Sequence, residues 1–199
     1  MPLRNEVTLY LRGLWLLLLG NPAGLDNLDL SDRGMLRSFY SVLWCLPAML
    51  VSWIWWRKAY LALEPASANT GLPFFLRLAL VEAVCWMLPL VLLGILMASF
   101  GARERYPAIV TINNWLSLPF YYAYAVLMLA GLFVPALQGL IGVLWLVLLM
   151  VLVITFSRIT KMVLGGQQPL LVTATVMTIL IPGMLLSEML QRFLGIYPG

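Results

Sequence analysis

The sequence predicts an all-α fold: a polytopic membrane helix bundle with five transmembrane helices and an amino-terminal amphipathic helix lying in the interface. Three observations carry this. Of the 199 residues, 63% are hydrophobic and only 10% are charged, whereas a soluble domain carries about 25% charged residues. The mean hydropathy is +0.97. Five apolar stretches approach the ~20 residues that a helix needs to cross a bilayer. So few charges cannot cover a water-soluble surface of this size, so lipid must replace water over much of the exterior.

The first twenty residues, MPLRNEVTLYLRGLWLLLLG, combine basic residues with a short apolar run. The run from Leu14 to Leu19 is short for a signal peptide, and no A-x-A cleavage site follows it, so the segment is expected to be retained. Asn5, Thr8 and Arg12 fall on one helical stripe, and Val7, Leu11, Leu14 and Leu18 on the other. This predicts an amphipathic helix over 1–20 in the interface, or else one packed against the bundle.

GNPAGLDNLDLSDRG comes next and reads as a turn region. Asp26, Asp29 and Asp32 recur every third residue, which does not match the D-x-D-x-D-G calcium loop. They are expected to be solvated, with Ser31 or Asp32 capping the following helix.

The spans are expected at about 35–56, 75–99, 107–132, 135–156 and 169–189, with Pro47, Pro89, Pro119 and Pro182 inside four of them. Linkers are short, so residues 1–199 form a single membrane domain, and no inverted repeat is visible. Counting basic residues by side places Arg4, Arg12, Arg33, Arg37, Arg103, Arg105, Arg158 and Lys161 with the amino terminus. Arg57, Lys58, Arg77 and Arg192 fall opposite. Eight against four predicts a cytoplasmic amino terminus and an exported carboxyl terminus, and a bacterial inner membrane suits the protein. Trp53, Trp55, Trp56 and Tyr60 mark a membrane–water boundary.

The net charge of +4 is no nucleic-acid signal, because the basic residues stand singly or in pairs at span ends rather than clustering on one face. They suit anionic lipid headgroups, as does FSRITK after the fourth span. Cys45 and Cys85 lie in apolar runs and are expected to be free thiols. The chain has no histidine, which removes His-ligated haem, His-containing zinc sites and Ser-His-Asp triads. It also lacks G-x-S-x-G, H-E-x-x-H and the P-loop, and LGGQQP lacks the Lys-Ser/Thr of a phosphate loop. We therefore expect no catalytic set, no metal and no cofactor.

Intramembrane polar residues are the place to look for function. Glu82 follows Arg77 by five positions, so a straight helix does not stack them. With Arg77 at the interface, Glu82 would lie about one turn inside. Glu82, Cys85, Trp86 and Pro89 share a face. Glu82 reads either as a proton- or cation-coupled carboxylate or, as we favour from sequence, as a group bonded to a neighbouring helix or water. In VTINNWL, Asn114 lines up with Ser117 and Tyr121, with Thr111 above. Asn113 points about 100° away, toward Phe120 and Tyr124. Each amide needs a partner on another helix, a carbonyl freed by a proline such as Pro119, or water. Such groups more often lock packing than line a path, and interhelical bonds of this kind contribute about 0.6–2 kcal/mol. At the end of the last span, Glu188 and Arg192 have the favourable i, i+4 order for an interfacial pair.

The order of parts, the stretch LDLSDRGMLRSF leading into the first span and RYPAIVTINNW leading into the third resemble small bacterial membrane proteins related to the Yip family. The likeness covers most of the chain in layout. It implies a role in membrane trafficking and in binding partner proteins within membranes, with no catalytic residues to carry over. These 199 residues include no long soluble amino-terminal segment of the kind the family carries. The expected function is thus a non-enzymatic integral membrane protein that associates with itself or with another membrane complex. Glu82, Asn113, Asn114 and Ser117 would form its contacts, and lipids and other membrane proteins would be its partners. The alternative is a small transporter or channel with a polar path around Glu82 and Asn113/Asn114. A water-filled cavity reaching Glu82 and Asn113 would favour transport; dry packing with paired amides would favour association.

Overall fold

The computed structural model describes residues 4–63, 70–165 and 168–197. Seven α-helices follow in chain order among them: α1 (Arg4–Leu18), α2 (Asp32–Ser38), α3 (Ser41–Leu63), α4 (Leu72–Ser99), α5 (Tyr106–Phe133), α6 (Gln138–Val163) and α7 (Pro169–Phe193). Five spans are long and apolar enough to cross a membrane, the first being Asp32–Leu63, which runs through α2 and α3. The bundle is all-α, as predicted. The first span starts before the expected Met35, because Ser31 caps α2 by accepting from the Gly34 amide at 3.1 Å. Asp29 in turn accepts from the Ser31 hydroxyl at 2.6 Å.

Neighbouring spans alternate in direction. One end of the bundle therefore gathers α1, the α4–α5 turn and the α6 carboxyl terminus, with Arg12, Arg103, Arg105, Arg158 and Lys161. The other end holds the end of α3, the start of α4 and the end of α7. There Gly195, at φ +64, reverses the chain after α7. Glycine suits this left-handed position because it has no Cβ to clash. The reversed segment docks through three donors: Arg77 Nη1 to the Leu194 carbonyl at 3.0 Å, Tyr60 to Gly195 at 3.1 Å and Trp56 Nε1 to Ile196 at 3.0 Å. Arg57 donates to Thr70, so one of the basic residues on the less basic side has a local structural use. Glu188 and Arg192 form the exposed pair expected from their spacing, at 2.9 Å, and the Arg192 guanidinium lies 4.0 Å from the centre of the Tyr197 ring.

Helix α1 is packed on the bundle, the second of the two placements the sequence left open. Its buried stripe is Val7, Tyr10, Leu14 and Leu17, not Val7, Leu11, Leu14 and Leu18. Leu11 is exposed, together with Trp15 and Leu19. The stripe is rotated because Tyr10 lays its ring edge-on against Trp115 of α5, centres 5.0 Å apart. Spacing alone gave Tyr10 no priority over Leu11. A salt bridge from Arg37 to Glu6 at 2.6 Å ties α1 to α2.

The largest side-by-side packings are α4 with α7 and α3 with α5, and α6 joins α5 to α7. Helices α4 and α5 approach each other closely over little of their length. Their separation leaves the space in which the candidate site lies.

Candidate functional site

Four of the five spans have an internal proline, and each proline removes one helix hydrogen bond and opens the helix locally. Pro89 of α4 lines a half-open cavity of about 380 Å3 between the spans. Ala48 and Ser52 come to it from α3, Glu82, Cys85 and Trp86 from α4, and Trp145, Leu152 and Phe156 from α6. Ile179 and Leu180 come from α7. Helix α5 contributes most: Asn113, Leu116, Ser117, Phe120, Tyr121, Tyr124, Ala125 and Met128. The face shared by Glu82, Cys85, Trp86 and Pro89 is therefore the cavity face of α4.

Glu82 follows the first residue of α4 by ten positions, or about 15 Å along the axis at 1.5 Å per residue. Counted from Arg77, whose guanidinium bonds the Leu194 carbonyl at the end of the bundle, it is five residues, or about 7.5 Å. Its carboxylate accepts a hydrogen bond from the Tyr121 hydroxyl at 3.0 Å. Trp53 approaches it from α3 without closing a hydrogen bond. The Tyr121 ring is stacked on Trp86, with centres 5.9 Å apart and planes 14° apart. None of the described lining residues is basic. A carboxylate with one neutral donor and no countercharge beside it can hold a cation or a proton, because either restores neutrality in a medium of low dielectric.

The two asparagines part company here. Asn114 is fully buried and bridges three helices. It accepts from Trp86 Nε1 at 2.9 Å and donates to Ser38 Oγ at 2.9 Å, and the Ser38 hydroxyl in turn donates to the Met35 carbonyl at 2.7 Å. An indole N–H can only donate, which fixes the orientation of the amide. Asn113 lines the cavity, and among the described residues its amide has no hydrogen-bond partner. Neither amide bonds to the Trp115 carbonyl beside Pro119. Ser117 lines the cavity too, its hydroxyl donating to the Asn113 carbonyl of its own helix at 2.9 Å.

The structure regroups the polar residues of α5. The sequence aligned Asn114 with Ser117 and Tyr121; the cavity collects Asn113 with Ser117 and Tyr121, and Asn114 turns toward α2 and α4. Both groupings fit within a helical stripe 100° wide, and only the position of the neighbouring helices selects its centre. Glu82, Asn113 and Ser117 thus come together, whereas Arg77, Glu188 and Arg192 lie apart from them, toward the end of the bundle away from α1. The roles of Trp86 and Ser38 as partners of Asn114 were not read from the sequence. A lone tryptophan and a serine near a span end carry no local signal for a contact across the bundle.

Cys45 and Cys85 are free thiols. Among the described residues no three His, Cys, Asp or Glu side chains converge on a metal-sized site, the three aspartates of the turn included. Comparison with protein-family models, curated proteins and solved structures found no match.

Proposed function

We propose that the chain is a non-enzymatic integral membrane protein that holds and passes a small solute beside Glu82, as a small transporter or channel. The observation that carries this reading is the cavity among five spans, with Glu82, Asn113 and Ser117 on its wall. Ionisable groups at this depth are costly unless a function or a partner retains them. Glu82 has a partner in Tyr121, and it also has open space. Asn113 has the space alone. The eight-to-four distribution of basic residues supports a bacterial inner membrane with the amino terminus in the cytoplasm.

A second reading keeps the Yip-like expectation of association with a copy of itself or with another membrane complex. It is favoured by α6, which leaves Val143, Leu146, Met150 and Ile154 exposed along one line. The contacts in this reading come from apolar packing of α6 rather than from the polar residues, because Asn114 is engaged within the chain and the other three face inward. Lipid acyl chains are the default neighbours of that face.

Flux separates the two. Purified protein in liposomes should pass monovalent cations or protons down an imposed gradient, and Glu82→Gln should lower the rate at least tenfold. Flux that persists in Glu82→Gln would remove Glu82 from the path. A defined oligomer in mild detergent with no flux at all would favour association.

A further inference from the structure

The cavity has a chemistry more specific than its acidity. Its single carboxylate shares the lining with four aromatic side chains, Trp86 stacked on Tyr121 and Tyr124 against Trp145. A hard inorganic cation asks for several oxygen ligands; Ca2+, for example, takes six to eight. The oxygen supply here is poor. Besides Glu82 it comes from neutral groups, the Asn113 amide and the hydroxyls of Ser52, Ser117, Tyr121 and Tyr124, and most of the remaining wall is carbon. Aromatic faces instead attract weakly hydrated organic cations, through the ring quadrupole and through contact with their carbon groups. The volume, about 380 Å3, lies in the range of small-molecule sites.

A second cavity of about 540 Å3 adjoins the first, and the two share Met128 and Trp145 in their walls. It is lined by Trp55, Trp56, Gly131 and Gln138, which belong to the end of the bundle away from α1. Its wall is nearly all apolar. Met128 is a flexible side chain that can move aside, and the Trp145 ring lies 4.7 Å from that of Tyr124. An occupant with a carbon body and one positive charge could cross the apolar chamber and find its counter-ion at Glu82.

We propose that the Glu82 cavity is a binding site for a small organic ammonium ion, which enters through the second chamber past Met128 and Trp145. The proposal rests on the reading of the cavity as a solute chamber. Asn113, which has no side-chain hydrogen-bond partner among the described residues, supplies a neutral donor and acceptor on the same wall as the carboxylate.

Cys85, three residues after Glu82 and on the cavity wall, gives a native reporter. In a Cys45→Ala background it is the one remaining thiol of the two in the chain. Two methanethiosulfonate reagents share a reactive group and differ in charge, one bearing trimethylammonium and the other sulfonate. The full chain in detergent should react at Cys85 at least tenfold faster with the ammonium reagent, after correction for their rates on a free thiol. Glu82→Gln should bring that ratio close to one. Benzyltrimethylammonium should protect Cys85, and its uncharged carbon analogue neopentylbenzene should not. Met128→Trp should slow both reagents. Equal rates for the two reagents, unchanged by Glu82→Gln, would overturn the ammonium assignment and leave a chamber without charge selection. Unchanged rates in Met128→Trp would overturn the entrance. If neither reagent reaches Cys85 until the protein is denatured, the solute chamber itself is refuted.

Discussion

Asn113 and Asn114 are adjacent and chemically identical, and the bundle gives them opposite surroundings. Asn114 satisfies a donor from α4 and an acceptor from α2 in a site closed to solvent. Replacing it with leucine strands the Trp86 indole N–H, and a buried polar group left unpaired costs about 1–3 kcal/mol. The melting temperature of Asn114→Leu should therefore fall by several degrees, while that of Asn113→Leu should stay close to wild type. Thermal unfolding in one detergent checks both; equal shifts would contradict the division of labour. The sequence made legible that the two amides serve different neighbours, because adjacent helical positions diverge by 100°. Which of them meets open space was not legible. That depends on where Trp86 and Ser38 arrive, twenty-eight and seventy-six positions away from Asn114.

Helix α1 shows the same limit at the scale of an element. Its amphipathic character was plain, but its docked face was displaced by one residue. The docking depends on backbone proximity that no hydropathy pattern records. A Cβ on Gly13 would meet the Gly24 carbonyl oxygen at 2.7 Å, and a Cβ on Gly24 would collide with the Gly13 carbonyl. Gly13→Ala and Gly24→Ala should each loosen α1 and speed proteolysis within residues 19–31. Arg37→Ala, which breaks a half-exposed ion pair, should have a much smaller effect, since such pairs contribute about 0–1 kcal/mol. Alkaline pH should act on the same element. Burial, reinforced by the charge and hydrogen bond of Glu6, pushes the Tyr10 hydroxyl from 10.0 up to about 12. An acid whose pKa is raised on folding contributes its full stability below the unfolded value and loses it as pH rises through the folded one. The docking of α1 should hold to about pH 10 and weaken between 10 and 12, and Tyr10→Phe should remove that step. Cleavage by an alkali-active subtilisin, followed against pH, reads the difference.

At the scale of the whole molecule, the five spans were legible because the bilayer sets a length and forbids charge, and both leave their mark in composition. The pairing of the spans was not legible. Lipid-facing and helix-facing positions are equally apolar, so hydropathy carries little contrast between them. The sequence thus could not announce that α4 would pack along α7 and α3 along α5, leaving a gap between α4 and α5. That gap gives Glu82 and Asn113 a common space and turns a set of scattered polar residues into one wall. The most direct test is cysteine scanning along α5 in a chain lacking Cys45 and Cys85. Asn113→Cys, Ser117→Cys and Tyr121→Cys should react with a small water-soluble thiol reagent. Asn114→Cys, Trp115→Cys and Leu118→Cys, in the same folded protein, should stay protected. Protection at 113 and 117 as complete as at 115 would contradict a solute chamber between the spans of this bundle.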